Sequence, residues 1–386
     1  MSGSAELKPH SYFNYLIIYN IMLLLLDFLV VFLLLSKWSY PSNSFISQLD
    51  KLSQMPVFVI MSRHDGVTSY VTISVGSLAF MISIGYIAVS AILLWKGFAK
   101  LIDYGPVFRI GYAGAGLFLI SVTSLSLLMI AISIPILLNL DVIFLFAFMY
   151  PVIFLVIFIA KSVLLRMEER GLDSYLNNIN ILVYGIILFL VILGEVLTFH
   201  HNILHKIITI VVNVFAVIPL MHFGVGTTSK TLKGRLLASA GIAIIFSIIP
   251  LFIIYLFLWL VLVFFSGFAL IGLAYSNLGR AYRSIPLRTA GVLMIIEGKA
   301  GLIITIVEFI LSVLNLTQIP YVDSIIESFN SITPELLVKY MLILIALFLT
   351  LQQLFVIIGL NSIKRRIVTT ITSEITRTTN DYPVIS

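Results

Sequence analysis

Five ionisable residues interrupt long apolar runs, and they are where this chain could do chemistry: Asp27, Glu195, Glu297, Lys299 and Glu308. A charged side chain in hydrocarbon costs a few kcal/mol, so such residues ordinarily face a bundle interior or an aqueous path. Glu297 and Glu308 are eleven residues apart. On a helix they fall on nearly one face, roughly 16 Å apart along the axis. Gly291, Gly298 and Gly301 on the same run would let a neighbouring helix or a substrate come close. Lys299 turns well away from Glu297, so it needs another partner or must extend its ammonium to the membrane surface; Asp27 is one candidate partner. Two readings stay open. One is a polar conduit or binding site centred on Glu297 and Glu308. The other is a set of protonated or hydrogen-bonded acids that hold helices in register.

Other polar positions carry less. Gln352 and Gln353 are adjacent in the last apolar run and therefore face different directions, so at least one is expected to hydrogen-bond a neighbouring helix. His200, His201 and His205 cluster at one membrane edge. His201 and His205, at i and i+4, could share a metal if the turn stays helical, with Glu195 or a loop acid as a third ligand. The alternative is interfacial histidines in a short turn. The run Gly224 to Thr231 looks like a phosphate loop but lacks the glycine before Lys230 and a preceding strand. Arg63-His64-Asp65-Gly66 has no second ligand at metal spacing, and no HExxH or GxSxG motif occurs. No catalytic residue is assigned, no cofactor is expected, and an enzyme is the less favoured class.

The elements that must position these residues follow from composition. Of 386 residues, 60% are hydrophobic and 10% charged, against about 25% charged in soluble domains, and mean hydropathy is +1.14. A soluble fold could not bury that much apolar surface, whereas lipid removes the need. The absence of cysteine excludes disulfides, thiolate metal sites and cysteine nucleophiles. Abundant isoleucine without cysteine would suit a hot habitat.

Apolar runs long enough for a bilayer core predict an all-α, polytopic transmembrane bundle of about ten spans. They lie near 15–36, 70–95, 110–137, 142–165, 179–199, 203–223, 234–249, 251–277, 289–314 and 337–361. The first is read as an uncleaved span rather than a signal peptide, because no small-residue cleavage site follows it. Residues 1–363 then form the membrane domain, and 364–386 a flexible, Thr-rich cytoplasmic tail. The run 236–273 would be nearly twice a membrane thickness as one helix, so Pro250 is read as a break between two spans; one broken helix is the alternative.

Charge placement supports the split. With both termini inside, 17 of the 23 Lys and Arg fall on inner segments, including Lys96, Lys100, Arg166, Arg170, Arg280, Arg283, Arg288 and Lys364 to Arg366. This is the positive-inside asymmetry, so the net charge of +6 reports topology and not nucleic-acid binding. Outside, Asn315-Leu316-Thr317 fits a glycosylation acceptor, a triplet common by chance.

Three junctions share a layout of span end, basic turn and small-residue span start. They run from Trp95 to Gly114, from Lys230 to Gly241 and from Asn277 to Gly291. A weak internal repeat or ordinary close packing of small residues would each account for it. The chain also carries Gly97-Phe98 with Ile110 to Gly114, Gly267 to Leu273 leading to Leu278-Gly279-Arg280, Ala290 to Leu293, and Ile358 to Ile363. On these residues, over about 70–120 and 250–363, it resembles an archaeal family of multi-spanning membrane proteins of unknown function. The middle, 140–230, departs from that family's shorter pattern. The resemblance implies a helical membrane fold and no particular substrate.

The expected setting is a multi-pass protein of the cell membrane. Its partners are the lipid bilayer and other membrane proteins or further copies of itself, not nucleic acid. The first functional expectation is a non-catalytic scaffold or subunit of a membrane assembly. The alternatives are a secondary transporter or channel-like protein using intramembrane carboxylates and, last, an intramembrane lipid-modifying enzyme.

Overall fold

The computed structural model describes residues 9–39, 56–64, 67–137, 142–197, 207, 211, 250–316 and 335–380. Long helices dominate because, in lipid, a helix satisfies its own backbone polar groups. They are α1 (Pro9–Ser39), α2 (Val75–Leu101), α3 (Pro106–Leu137), α4 (Val142–Glu168), α5 (Asp173–Leu197), α6 (Pro250–Ala281), α7 (Ile285–Leu316) and α8 (Glu335–Asn380). Among the described residues, five stretches are long and apolar enough to cross a membrane: Gly85–Tyr104, Pro106–Ala131, Tyr255–Ala281, Ile285–Val307 and Leu347–Thr369. Hydroxyls within the helices return to their own backbone: Ser121 donates to the Leu117 carbonyl at 3.0 Å, Ser266 to Leu262 at 2.8 Å and Thr305 to Gly301 at 2.8 Å.

The centre of the bundle is α6, packed along α3 on one side and α7 on the other. Glycines set these distances. A methyl group on Gly267 would stand 2.8 Å from the Gly114 carbonyl oxygen, and one on Gly114 would stand 2.8 Å from the Gly267 oxygen. Gly272 and Gly291 repeat the arrangement between α6 and α7, where a methyl on Gly272 would lie 2.7 Å from the Gly291 oxygen. Backbone thus meets backbone, as small residues allow where lipid supplies no hydrophobic drive between helices. Helix α1 lies against α2 and α8, and α8 also reaches α7.

Two helix ends close in the same way. Leu172 N–H donates to the Met167 carbonyl at 3.2 Å and Gly171 N–H to Glu168 at 2.9 Å; Ser284 N–H donates to Gly279 at 2.7 Å and Arg283 N–H to Arg280 at 3.3 Å. These are paired C-terminal cap bonds around a residue of positive φ. At the first the residue is Gly171 (φ 72), at the second Arg283 (φ 51). A side chain with Cβ costs roughly 1–2 kcal/mol there. Gly171→Ala should therefore lower the thermal unfolding midpoint of the detergent-solubilised protein, and Arg283→Gly should hold or raise it. A lower midpoint for Arg283→Gly would show that its guanidinium matters more than the strain.

Polar contacts tie one end of the bundle together. Lys364 Nζ donates to Asn14 Oδ1 at 2.8 Å, and Arg366 donates to the Tyr282 carbonyl at 2.6 Å. The Arg166 guanidinium lies 5.8 Å from the Trp95 ring centroid and Lys100 6.0 Å from that of Tyr12. Basic residues of α2, α4 and α8 and the Tyr282 turn thus gather at one end of the bundle.

The structure departs from expectation in two places. An antiparallel hairpin, β1 (Pro56–His64) with β2 (Val67–Ser74), occupies part of what reads as an outer loop, and α2 begins at Val75 rather than residue 70. Alternating β-branched and aromatic residues flank Asp65-Gly66, a dipeptide that favours tight hairpins. The segment read as a flexible tail from residue 364 continues α8 without a break to Asn380, since no Gly or Pro interrupts it before Pro383. α6 is described from Pro250 onward, and the expected break between two spans there lies outside the described residues, as do almost all of the spans expected at 203–223 and 234–249.

Candidate functional site

A polar stripe crosses the interior where α1, α6, α7 and α8 meet. On α1, Asn20 and Asp27 are seven residues apart, two helical turns, and so lie on one face. Asn20 is fully buried and donates through Nδ2 to the Leu16 carbonyl at 2.6 Å and to the Tyr275 hydroxyl of α6 at 3.2 Å. Its Oδ1 and the neighbouring Tyr19 hydroxyl are buried without a hydrogen-bond partner. Further along, half-buried Asp27 is close enough for its charge to act on Glu297 of α7.

Glu297 is joined to α8. The Gln352 Nε2 donates to Glu297 Oε2 at 2.9 Å. Gln352 and Gln353 are both buried, at 0% and 3% exposure. Adjacent positions point about 100° apart, and both can be covered because α8 packs against α1 as well as α7. The oxygens Glu297 Oε1, Gln352 Oε1 and Gln353 Oε1 are buried with no partner. One bonded donor therefore faces a surplus of acceptors.

The joint borders a recess. A cleft of ≈ 480 Å³ is lined by Leu344, Leu347, Phe348 and Leu351 of α8 and by Glu297, its one charged wall among the described residues. Towards the C-terminal end of α8 the two helices are pinched together, since a methyl on Gly359 would lie 2.5 Å from the Leu287 Cβ. The cleft is thus closed towards the basic end of the bundle, with the Glu297–Gln352 bond beside it. A second recess, between α5 and α7, is lined by Ile181, Leu182, Gly185, Ile186, Phe189 and Ile306, with no ionisable wall among the described residues.

Of the residues singled out from sequence, Asp27 and Glu297 lie within electrostatic range of each other, and Glu297 is the one held by a hydrogen bond to a neighbouring helix. Lys299 is exposed, turned away from Glu297 as helix geometry requires, and makes no ion pair with Asp27. Glu308 lies on α7 and Glu195 on α5, but their side chains lie outside the described residues, as do His201 and His205. Asn20, Tyr19 and Tyr275 were not singled out. Their signal was weak: an asparagine within an apolar run beside a tyrosine.

No protein-family model, curated protein or solved structure matches the chain.

Proposed function

We propose that this is a multi-pass membrane carrier, or a channel-like relative of one, whose site is the Glu297–Gln352 joint at the base of the α7–α8 cleft. The supporting observation is the cleft's shape: pinched at Gly359 and Leu287, open along Leu344 to Leu351, and bordered by an intramembrane carboxyl. Carriers place their sites near mid-membrane, between a tightly packed helix group and a second one. Here α3, α6 and α7 form the tight group, and α1 with α8 forms the other. About ten spans with both termini inside remain the topology that best accommodates the charge placement. The likeness to archaeal multi-spanning proteins belongs to the same reading.

The chain contains no cysteine, so a single introduced thiol reports water access directly. Leu347→Cys in sealed vesicles should react with a membrane-impermeant maleimide from the outer side. Ile303→Cys, at an exposed position on α7 outside the cleft lining, should not. Leu347→Cys as inert as the control would sink the carrier reading. In its place would stand a scaffold or assembly subunit, which the glycine-to-glycine packing of α3, α6 and α7 favours.

A further inference from the structure

We infer that the Glu297–Gln352 joint is a proton-binding site, in which one proton on Glu297 Oε1 is shared with Gln352 Oε1. The inference rests on the site of the carrier reading but not on transport itself.

Gln352 Nε2 already donates to Glu297 Oε2 at 2.9 Å. Within an amide the oxygen and nitrogen are about 2.2 Å apart, and the two carboxyl oxygens are similarly spaced. The free oxygens, Glu297 Oε1 and Gln352 Oε1, are therefore close neighbours of the bond that exists. Both are buried and neither has a donor. Each is an acceptor held out of water with its hydrogen bond unmade, which costs about 1–3 kcal/mol. A proton on the acid supplies the missing donor: O–H to the amide oxygen, N–H to the acid oxygen, and the ring of two bonds is closed. A carboxyl out of water also avoids the cost of an uncompensated charge when it carries that proton.

Ligand count disfavours a metal cation. Oxygen-bound hard cations take about six or more ligands. Free buried oxygens of described side chains on α7 and α8 here are Glu297 Oε1, Gln352 Oε1 and Gln353 Oε1. A proton needs only two. Among the described residues, the ionisable group that α1 brings within electrostatic range of Glu297 is Asp27; Tyr19 lies beyond it, within range of Asp27 and of Tyr275 on α6, and Lys299 on α7 itself is turned away. On release the proton passes to water entering the cleft, leaving a carboxylate whose charge faces the Gln352 oxygen and weakens the α7–α8 joint.

The test is infrared spectroscopy of the full chain in lipid nanodiscs at neutral pH. The parent should show a neutral-carboxyl C=O band that vanishes in Glu297→Gln, persists in Asp27→Asn, and moves to higher frequency in Gln352→Leu as its hydrogen bond is lost. An identical band in the parent and Glu297→Gln would overturn the proposal. So would an unmoved band in Gln352→Leu, which decides the matter if Glu297→Gln does not fold. The expected band set together with an unreactive Leu347→Cys would support a proton site and reject the carrier. A reactive Leu347→Cys without the band would do the reverse.

Discussion

Gly267→Ala is expected to destabilise the bundle by about 2–3 kcal/mol, the upper range for overpacking a tight interior. The added methyl would meet the Gly114 carbonyl oxygen and the Phe118 backbone nitrogen, each at 2.8 Å, and the Leu117 Cβ at 3.1 Å. Side chains can rotate away from an intruder, but two helix backbones cannot. The helices would have to separate by several tenths of an ångström along their whole contact. That loosens Phe118, which packs against Phe264 and Phe268 at centroid distances of 5.2 and 6.4 Å. Gly185→Ala is the matched control, because nothing lies within 4 Å of its would-be methyl. There the exchange should be neutral or stabilising by roughly 0.5–1 kcal/mol through helix propensity alone. Thermal or denaturant unfolding in one detergent checks both. Equal midpoints for Gly267→Ala and the parent would mean that α3 and α6 are not held backbone to backbone.

The same glycines show what was legible beforehand. Gly114 and Gly291 stand out in the sequence as small residues at span starts, where close packing is one of the two readings they permit. Gly267 lies in mid-span and stands out only in the run Gly267 to Leu273. Which helix each one meets is a tertiary fact that no local pattern contains. Glu297 and Asp27 are conspicuous because an ionisable residue in an apolar run is costly wherever it lands. Their proximity is not legible, because it depends on how α1 is placed against α7 and α8. The outward turn of Lys299 follows from 100° per residue and is found, whereas its pairing with Asp27 rested on charge sign and is absent. Gln352 reads correctly as a bridging residue without naming its partner. The β1–β2 hairpin had a usable signal in its alternation around Asp65-Gly66, obscured by reading a lipid-dominated chain for helices only. The helical continuation to Asn380 was hidden by a Thr-rich composition, since threonine's modest helix propensity is readily overridden by a helix already formed.

Gln352→Leu is expected to cost about 1–3 kcal/mol of stability, because it leaves the Glu297 carboxyl half-buried with no donor on either oxygen. Glu297→Leu should cost a similar amount, stranding the Gln352 amide, which is fully buried. The double variant, Glu297→Leu with Gln352→Leu, removes both polar groups at once and fills the joint with hydrocarbon. It should unfold within about 1 kcal/mol of the parent, since replacing both members of a buried pair avoids an unmet partner. Glu297→Gln supplies the decisive comparison. An amide has the shape of a neutral acid and offers Gln352 one donor and one acceptor, so a joint built around a shared proton should accept it at little cost. A joint built around a carboxylate would lose its charge-assisted bond and be weakened by about as much as Gln352→Leu weakens it. The unfolding midpoints of these four variants, taken in one detergent, separate the two cases. If the single costs simply added in the double variant, Glu297 and Gln352 would be independent residues and α7 would be held to α8 by apolar packing such as the Gly359–Leu287 contact.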